Sequence, residues 1–122
     1  MTDHQKFEKW AMPILKKLQK VLLLEHFTPL ELEYKKGEGS ECQFYYPYQT
    51  ITVRYNDKLI NDFKNKNYKH VTSILAHEMC HPLTDGLYAK ASSTYRNKDE
   101  IGDERERLTD HIANIILKND LL

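Results

Sequence analysis

Tyr68-Lys69-His70-Val71-Thr72-Ser73-Ile74-Leu75-Ala76-His77-Glu78-Met79-Cys80-His81-Pro82 is the stretch on which the fold of this chain turns. Val71, Ile74, Leu75 and Met79 recur at helical spacing, so the segment reads as a helix that ends at Pro82 or just before it. His77 and His81 are four residues apart. On a helix such residues share a face, so both imidazoles can point at one ion. Neutral imidazole is a good zinc ligand. Glu78, beside the first histidine, projects next to such an ion rather than onto it. There it can take a proton from a water that the metal activates.

Two histidines do not complete a catalytic zinc site, which has three protein ligands and an open position. Residues 82–91 contain no further histidine, so the third ligand comes from elsewhere. Asp85 is near, but Thr84-Asp85-Gly86 reads as a turn, which accounts for it. Glu106 opens the run Glu106-Arg107-Leu108-Thr109-Asp110, whose two carboxylates share a helix face. One can ligate the ion while the other accepts a hydrogen bond from a ligand histidine and fixes its tautomer. Glu104 competes in register, being on nearly the opposite face, so only one of the two points inward. Leu108, Ile112, Ile115 and Ile116 mark the expected buried side of this helix. Asp110, Ala113, Asn114 and Leu117 continue the Glu106 stripe, where small Ala113 permits close approach.

Upstream, Phe7, Trp10, Ala11, Ile14, Leu15, Leu18, Val21, Leu22 and Leu24 recur at spacings of three and four, with lysines on the other face. Thr2 and Gln5 resemble a capping box. Pro13 either sits in the first turn of a helix starting near Ala11 or interrupts a longer one. Three strand-like pieces follow at 30–34, 42–46 and 50–55, separated by turn-forming residues. Their short connections predict an antiparallel meander. Residues 57–67 suggest a short helix through Leu59, Ile60 and Phe63. Residues 83–102 read as irregular, and a final helix covers about 103–118. The expected class is α+β: an N-terminal helix, a small antiparallel sheet of about three strands, an active-site helix and a C-terminal helix.

With 122 residues and no linker or repeat, residues 1–122 read as one domain. Basic and acidic side chains balance at 18 each, so no global attraction to nucleic acid or membrane is expected. The apolar run 21–24 is far too short for a membrane span, and no signal-peptide core follows the N-terminus. Cys42 and Cys80 read as reduced thiols, consistent with a cytoplasmic location. Tyr45, Tyr46, Tyr48 and Tyr55, with Arg54, could stack on nucleic-acid bases. On a chain of zero net charge they read instead as a sheet surface and a substrate groove.

The HEMCH segment followed by ERLTDHIANIIL resembles the small gluzincin-type zinc metallopeptidases, in particular the ImmA/IrrE-like proteins of phages and mobile elements. The resemblance covers about residues 50–118. It implies a minimal zincin-like fold in which His77, His81 and Glu106 hold Zn2+. Glu78 would be the general base and Asp110 a hydrogen-bond partner of a ligand histidine. It also implies that strand 50–55 is an edge strand pairing with a protein or peptide substrate. A proline directly after the second histidine departs from the pattern, and the N-terminal helix up to Phe27 has no clear counterpart.

The expected function is therefore zinc-dependent peptide hydrolysis. A developing oxyanion needs a donor besides the ion, for which Tyr88 and Tyr95 are the candidates. Two other readings compete. One is a non-catalytic zinc-containing regulatory or binding protein of the same fold. The other is a sheet-based nucleic-acid binder in which HEMCH is accidental.

Overall fold

The first helix, α1, spans Asp3–Val21 and runs through Pro13. Thr2 and Gln5 form a complete capping box. The Gln5 N–H donates to Thr2 Oγ1 at 3.2 Å, and the Thr2 N–H donates to Gln5 Oε1 at 2.9 Å. Phe7, Ala11, Leu15 and Leu18 make the buried face. The helix ends with Leu23 in the left-handed region (φ 59°), where the Leu24 N–H reaches the Gln19 carbonyl at 2.8 Å. Buried Gln19 then donates to the carbonyls of Leu24 and Phe27 at 3.1 and 2.7 Å, fastening the loop that leads into the sheet. The protein's computed structural model describes residues 1–37, 40–45, 50–94 and 98–119, the side chains of 41–45, 86–94 and 98–100 lying outside that description.

Three strands follow: β1 (Leu30–Tyr34), β2 (Glu41–Tyr45) and β3 (Thr50–Tyr55). Their order in the sheet is β1-β3-β2. β3 pairs parallel with β1, Val53 opposite Leu32, and antiparallel with β2, Val53 opposite Cys42. The sheet is thus mixed, which corrects the expected antiparallel meander. That expectation assumed that chain neighbours pair. Instead the chain steps over one strand position between β1 and β2, and β3 fills the gap. One skipped position is about 9.5 Å, and the residues linking Tyr34 to Glu41 span more than that when extended. The crossover that a parallel pair requires is supplied by β2 itself.

Central placement suits β3, whose Ile51, Val53 and Tyr55 are almost wholly buried. It also overturns one functional expectation. Both hydrogen-bonding edges of 50–55 are taken, so this strand is not an edge to which a substrate peptide could add. Tyr55 packs 4.7 Å from Phe7, centroid to centroid, and belongs to the core rather than to an exposed stacking surface. Tyr46 and Tyr48, and the side chain of Tyr45, lie outside the described residues.

A short helix, α2 (Asp57–Lys64), is capped by Asn56, whose Oδ1 accepts from the Leu59 N–H at 3.0 Å. Phe63 then joins Phe7, Trp10 and Tyr68 in an aromatic cluster that binds α2 to α1 and to the start of the next helix.

Two long helices complete the fold: α3 (Tyr68–Thr94) and α4 (Lys98–Lys118). The helix through HEMCH does not stop at Pro82. Proline withholds the N–H that would bond the Glu78 carbonyl, a cost of about 3 kcal/mol in a helix interior. Contacts with α4 hold the following turn in place despite that cost. Buried Thr84 meets buried Thr109, Oγ1 to Oγ1 at 2.9 Å, and Asp85 faces Arg105. The stretch expected to be irregular is therefore helical over most of its length, and α4 begins at Lys98 rather than near Asp103. The buried side of α4 is corrected in part, since Ile112 packs against the core and Ile116 is buried as expected. Thr109, Ala113 and Ile116 are buried, whereas Leu108 and Ile115 are 41% and 46% exposed. Glu106, Thr109, Ala113 and Ile116 form one stripe against α3, which turns Leu108 outward. The architecture is α+β, and no described helix is long and apolar enough to cross a membrane.

The threonine pair tests the α3–α4 register. The Thr109 hydroxyl donates to the Arg105 carbonyl at 2.8 Å, which leaves Thr84 as the donor of the pair, its proton shared with the His81 carbonyl at 3.4 Å. Thr109→Val should cost about 0.5–1.5 kcal/mol, since it removes the interhelix bond while the Thr84 hydroxyl can still turn to the His81 carbonyl. Thr84→Val combined with Thr109→Val should cost less than the sum of the two single changes. Urea unfolding of the four proteins checks this, and strict additivity would contradict the pairing.

Candidate metal centre

α3 carries His77, Glu78 and His81 on one turn and a half of helix, and their ligand atoms all lie within 4.8 Å of one another. α4 brings Glu106 and Asp110 from the opposite side. Glu106 Oε2 is 3.1 Å from His77 Nε2, and Glu106 Oε1 is 3.6 Å from His81 Nε2. The two Nε2 atoms are 3.1 Å apart. Glu104 faces outward and pairs with exposed Arg107 at 3.8 Å.

The far side of each imidazole is held by a carboxylate. His77 Nδ1 is 2.6 Å from Asp110 Oδ1, and His81 Nδ1 is 3.0 Å from Asp85 Oδ1. Carboxylates accept, so both Nδ1 atoms donate. A neutral imidazole has one N–H, which leaves a lone pair on each Nε2. In that neutral form two lone pairs and a carboxylate oxygen converge at hydrogen-bond distance. Such a set is repulsive alone and suits a cation. For a tetrahedral ion with ligands at about 2.0–2.2 Å, ligand atoms lie about 3.3–3.6 Å apart. The two Nε2 atoms, 3.1 Å apart, and Glu106 Oε2, 3.1 Å from His77 Nε2, lie slightly closer than such edges, and the other Glu106 oxygen, Oε1, is 3.6 Å from His81 Nε2, so the carboxylate spans both imidazoles.

Local charge points the same way. Glu78, Asp85, Glu106 and Asp110 surround two imidazoles, offset by the Arg105 guanidinium near Asp85 and Glu106. Glu78 is 7% exposed and lines two clefts. One, of about 530 Å³, is bounded by Ser40, Asn56, Leu59, His70 and Ile74. The other, of about 390 Å³, is bounded by Ser73, His77 and Asp110. Cys80 points into the core with no exposure, and burial pushes its thiol up to about 12, so it offers no thiolate to an ion beside His81.

Asp85 is the residue that sequence reasoning assigned otherwise. It was expected in a turn after Pro82, but it is helical and one turn beyond His81. The spacing His77, His81, Asp85 was the available signal, hidden by the proline and by Gly86. Arg105, Thr84 and Thr109 carried no signal of their own. The side chain of Tyr88 and the whole of Tyr95, the candidate oxyanion donors, lie outside the described residues.

Comparison of the chain with protein-family models, curated proteins and solved structures finds no match.

Metal removal gives a direct expectation. An ion present at a hundredfold its Kd stabilises the folded state by about 2.7 kcal/mol. In a chain of this size that is on the order of 10 °C in Tm. Zinc added to chelator-stripped protein should raise Tm by that order, and an unchanged Tm at saturating zinc would contradict the geometric argument.

Proposed function

We propose that this chain is a zinc-dependent peptidase that hydrolyses peptide bonds by attack of a water molecule. The observation that carries this reading is the convergence of His77 Nε2, His81 Nε2 and the Glu106 carboxylate within 3.1–3.6 Å of one another. These three residues would hold the ion and leave one position open. Zinc bound there supplies Lewis acidity, which acidifies a water and polarises a carbonyl. Glu78 takes the proton of the attacking water and passes it to the leaving amine. Asp110 and Asp85 keep both imidazoles in the tautomer that presents Nε2. The two clefts that Glu78 lines offer room for substrate beside it. The peptide substrate follows from the resemblance of HEMCH and ERLTDHIANIIL to the gluzincin peptidases. A nucleic-acid substrate fits less well, since net charge is zero and Tyr55 is buried.

Glu78→Gln keeps the size and hydrogen-bonding ability of the side chain but cannot take the proton. It should retain zinc and lose at least two orders of magnitude in hydrolysis of an unstructured protein, since general-base catalysis is worth about 10²–10⁴-fold. Asp85→Asn and Asp110→Asn should instead weaken zinc retention by about 10–100-fold. Equal activity in wild type and Glu78→Gln would refute the mechanism. Zinc binding without hydrolysis in either would favour a binding role for the same site.

A further inference from the structure

Arg105 takes no part in the chemistry above, yet it touches both carboxylates that bracket His81. Its Nη1 lies 3.8 Å from Asp85 Oδ1 and its Nη2 3.3 Å from Glu106 Oε1. Asp85 Oδ1 is the oxygen that accepts from His81 Nδ1. Glu106 Oε1 is the oxygen 3.6 Å from His81 Nε2. The guanidinium thus closes a ring of charged contacts that begins and ends on one imidazole and joins α3 to α4. The Arg105 backbone is fixed as well, because its carbonyl accepts from Thr109, which in turn meets Thr84. His77 has a different backing: Asp110 is 65% exposed, whereas Asp85 and Arg105 are each 27% exposed.

This contact makes the two oxygens of Glu106 unequal. Oε2 faces His77 Nε2 at 3.1 Å, while Oε1, 3.6 Å from His81 Nε2, also pairs with the guanidinium at 3.3 Å. A carboxylate free to turn can offer both oxygens to a dication and fill an extra coordination position. One whose second oxygen pairs with a guanidinium that also pairs with a neighbouring carboxylate offers one. We propose that Arg105 is a positioning residue: by engaging Glu106 Oε1 and Asp85 together, it limits Glu106 to one ligating oxygen and keeps the position beside Glu78 open to water. The proposal rests on the reading that His77, His81 and Glu106 hold a metal.

Cobalt(II) in place of zinc tests it, because four-coordinate cobalt absorbs visible light more strongly than five-coordinate cobalt. Arg105→Gln should weaken the cobalt bands and lower kcat about 10–100-fold with KM little changed. Arg105→Lys restores charge but not the fork, and should lie between Arg105→Gln and wild type. Arg107→Gln, on the exposed side of α4, should match wild type. Should Arg105→Gln not fold, Arg105→Lys decides: weakened bands support the proposal, and bands identical to wild type overturn it. Wild-type cobalt binding with an unchanged spectrum in folded Arg105→Gln overturns this role alone. Failure of the wild type to bind cobalt or zinc overturns it together with the metal reading.

Discussion

Each imidazole of the HEMCH segment has its Nδ1 fixed by a carboxylate, and much of the molecule serves that constraint. Asp110 reaches His77 from α4, and Asp85 reaches His81 from the next turn of α3. With both Nδ1 protons committed, both Nε2 lone pairs turn toward one point. Glu106 can meet them there only if α3 and α4 pack closely and in one register. Ala113 allows the approach, and the Thr84–Thr109 contact sets the register one turn beyond His81. The remaining elements support α3 from behind. Val71, Leu75 and Met79 are buried in a core that also takes in Phe7 and Leu15 of α1 and Ile51 and Val53 of β3.

The elements that could be read from the sequence were those whose signal is local. Thr2 and Gln5 cap a helix wherever that pair precedes an apolar stripe, and HEMCH puts two imidazoles on one face by spacing alone. The Glu106 and Asp110 stripe was equally visible, because one helical turn separates its members. What could not be read depended on tertiary pairing. The parallel β1–β3 pair leaves no mark in either strand, since alternation is the same in parallel and antiparallel ladders. Pro82 is a helix-stop signal by propensity, and only the packing of Thr84 and Asp85 against α4 overrides it. Leu108 and Ile115 look like core residues by type, yet the α4 side that packs on α3 contains Thr109. The site's second orienting carboxylate was missed for the same reason that the helix was cut short.

The two halves of the centre differ in exposure. The Asp85 and Arg105 side is half-buried, and water competes less there for charged hydrogen bonds. The Asp110 side is open, so its hydrogen bond to His77 is more easily exchanged for one to solvent. His77 is accordingly the more exposed of the two histidines, 21% against 12%. The open side is also where Glu78, His77 and Asp110 bound a common cleft.

The central claim is that Glu106, from α4, closes a metal site begun by His77 and His81. Zinc stoichiometry of reconstituted wild type, Glu106→Ala and Glu104→Ala tests it most directly. One zinc per chain in wild type and in Glu104→Ala, with loss in Glu106→Ala, is the predicted result. Equal zinc in all three proteins, or loss on changing Glu104 instead, would contradict the account.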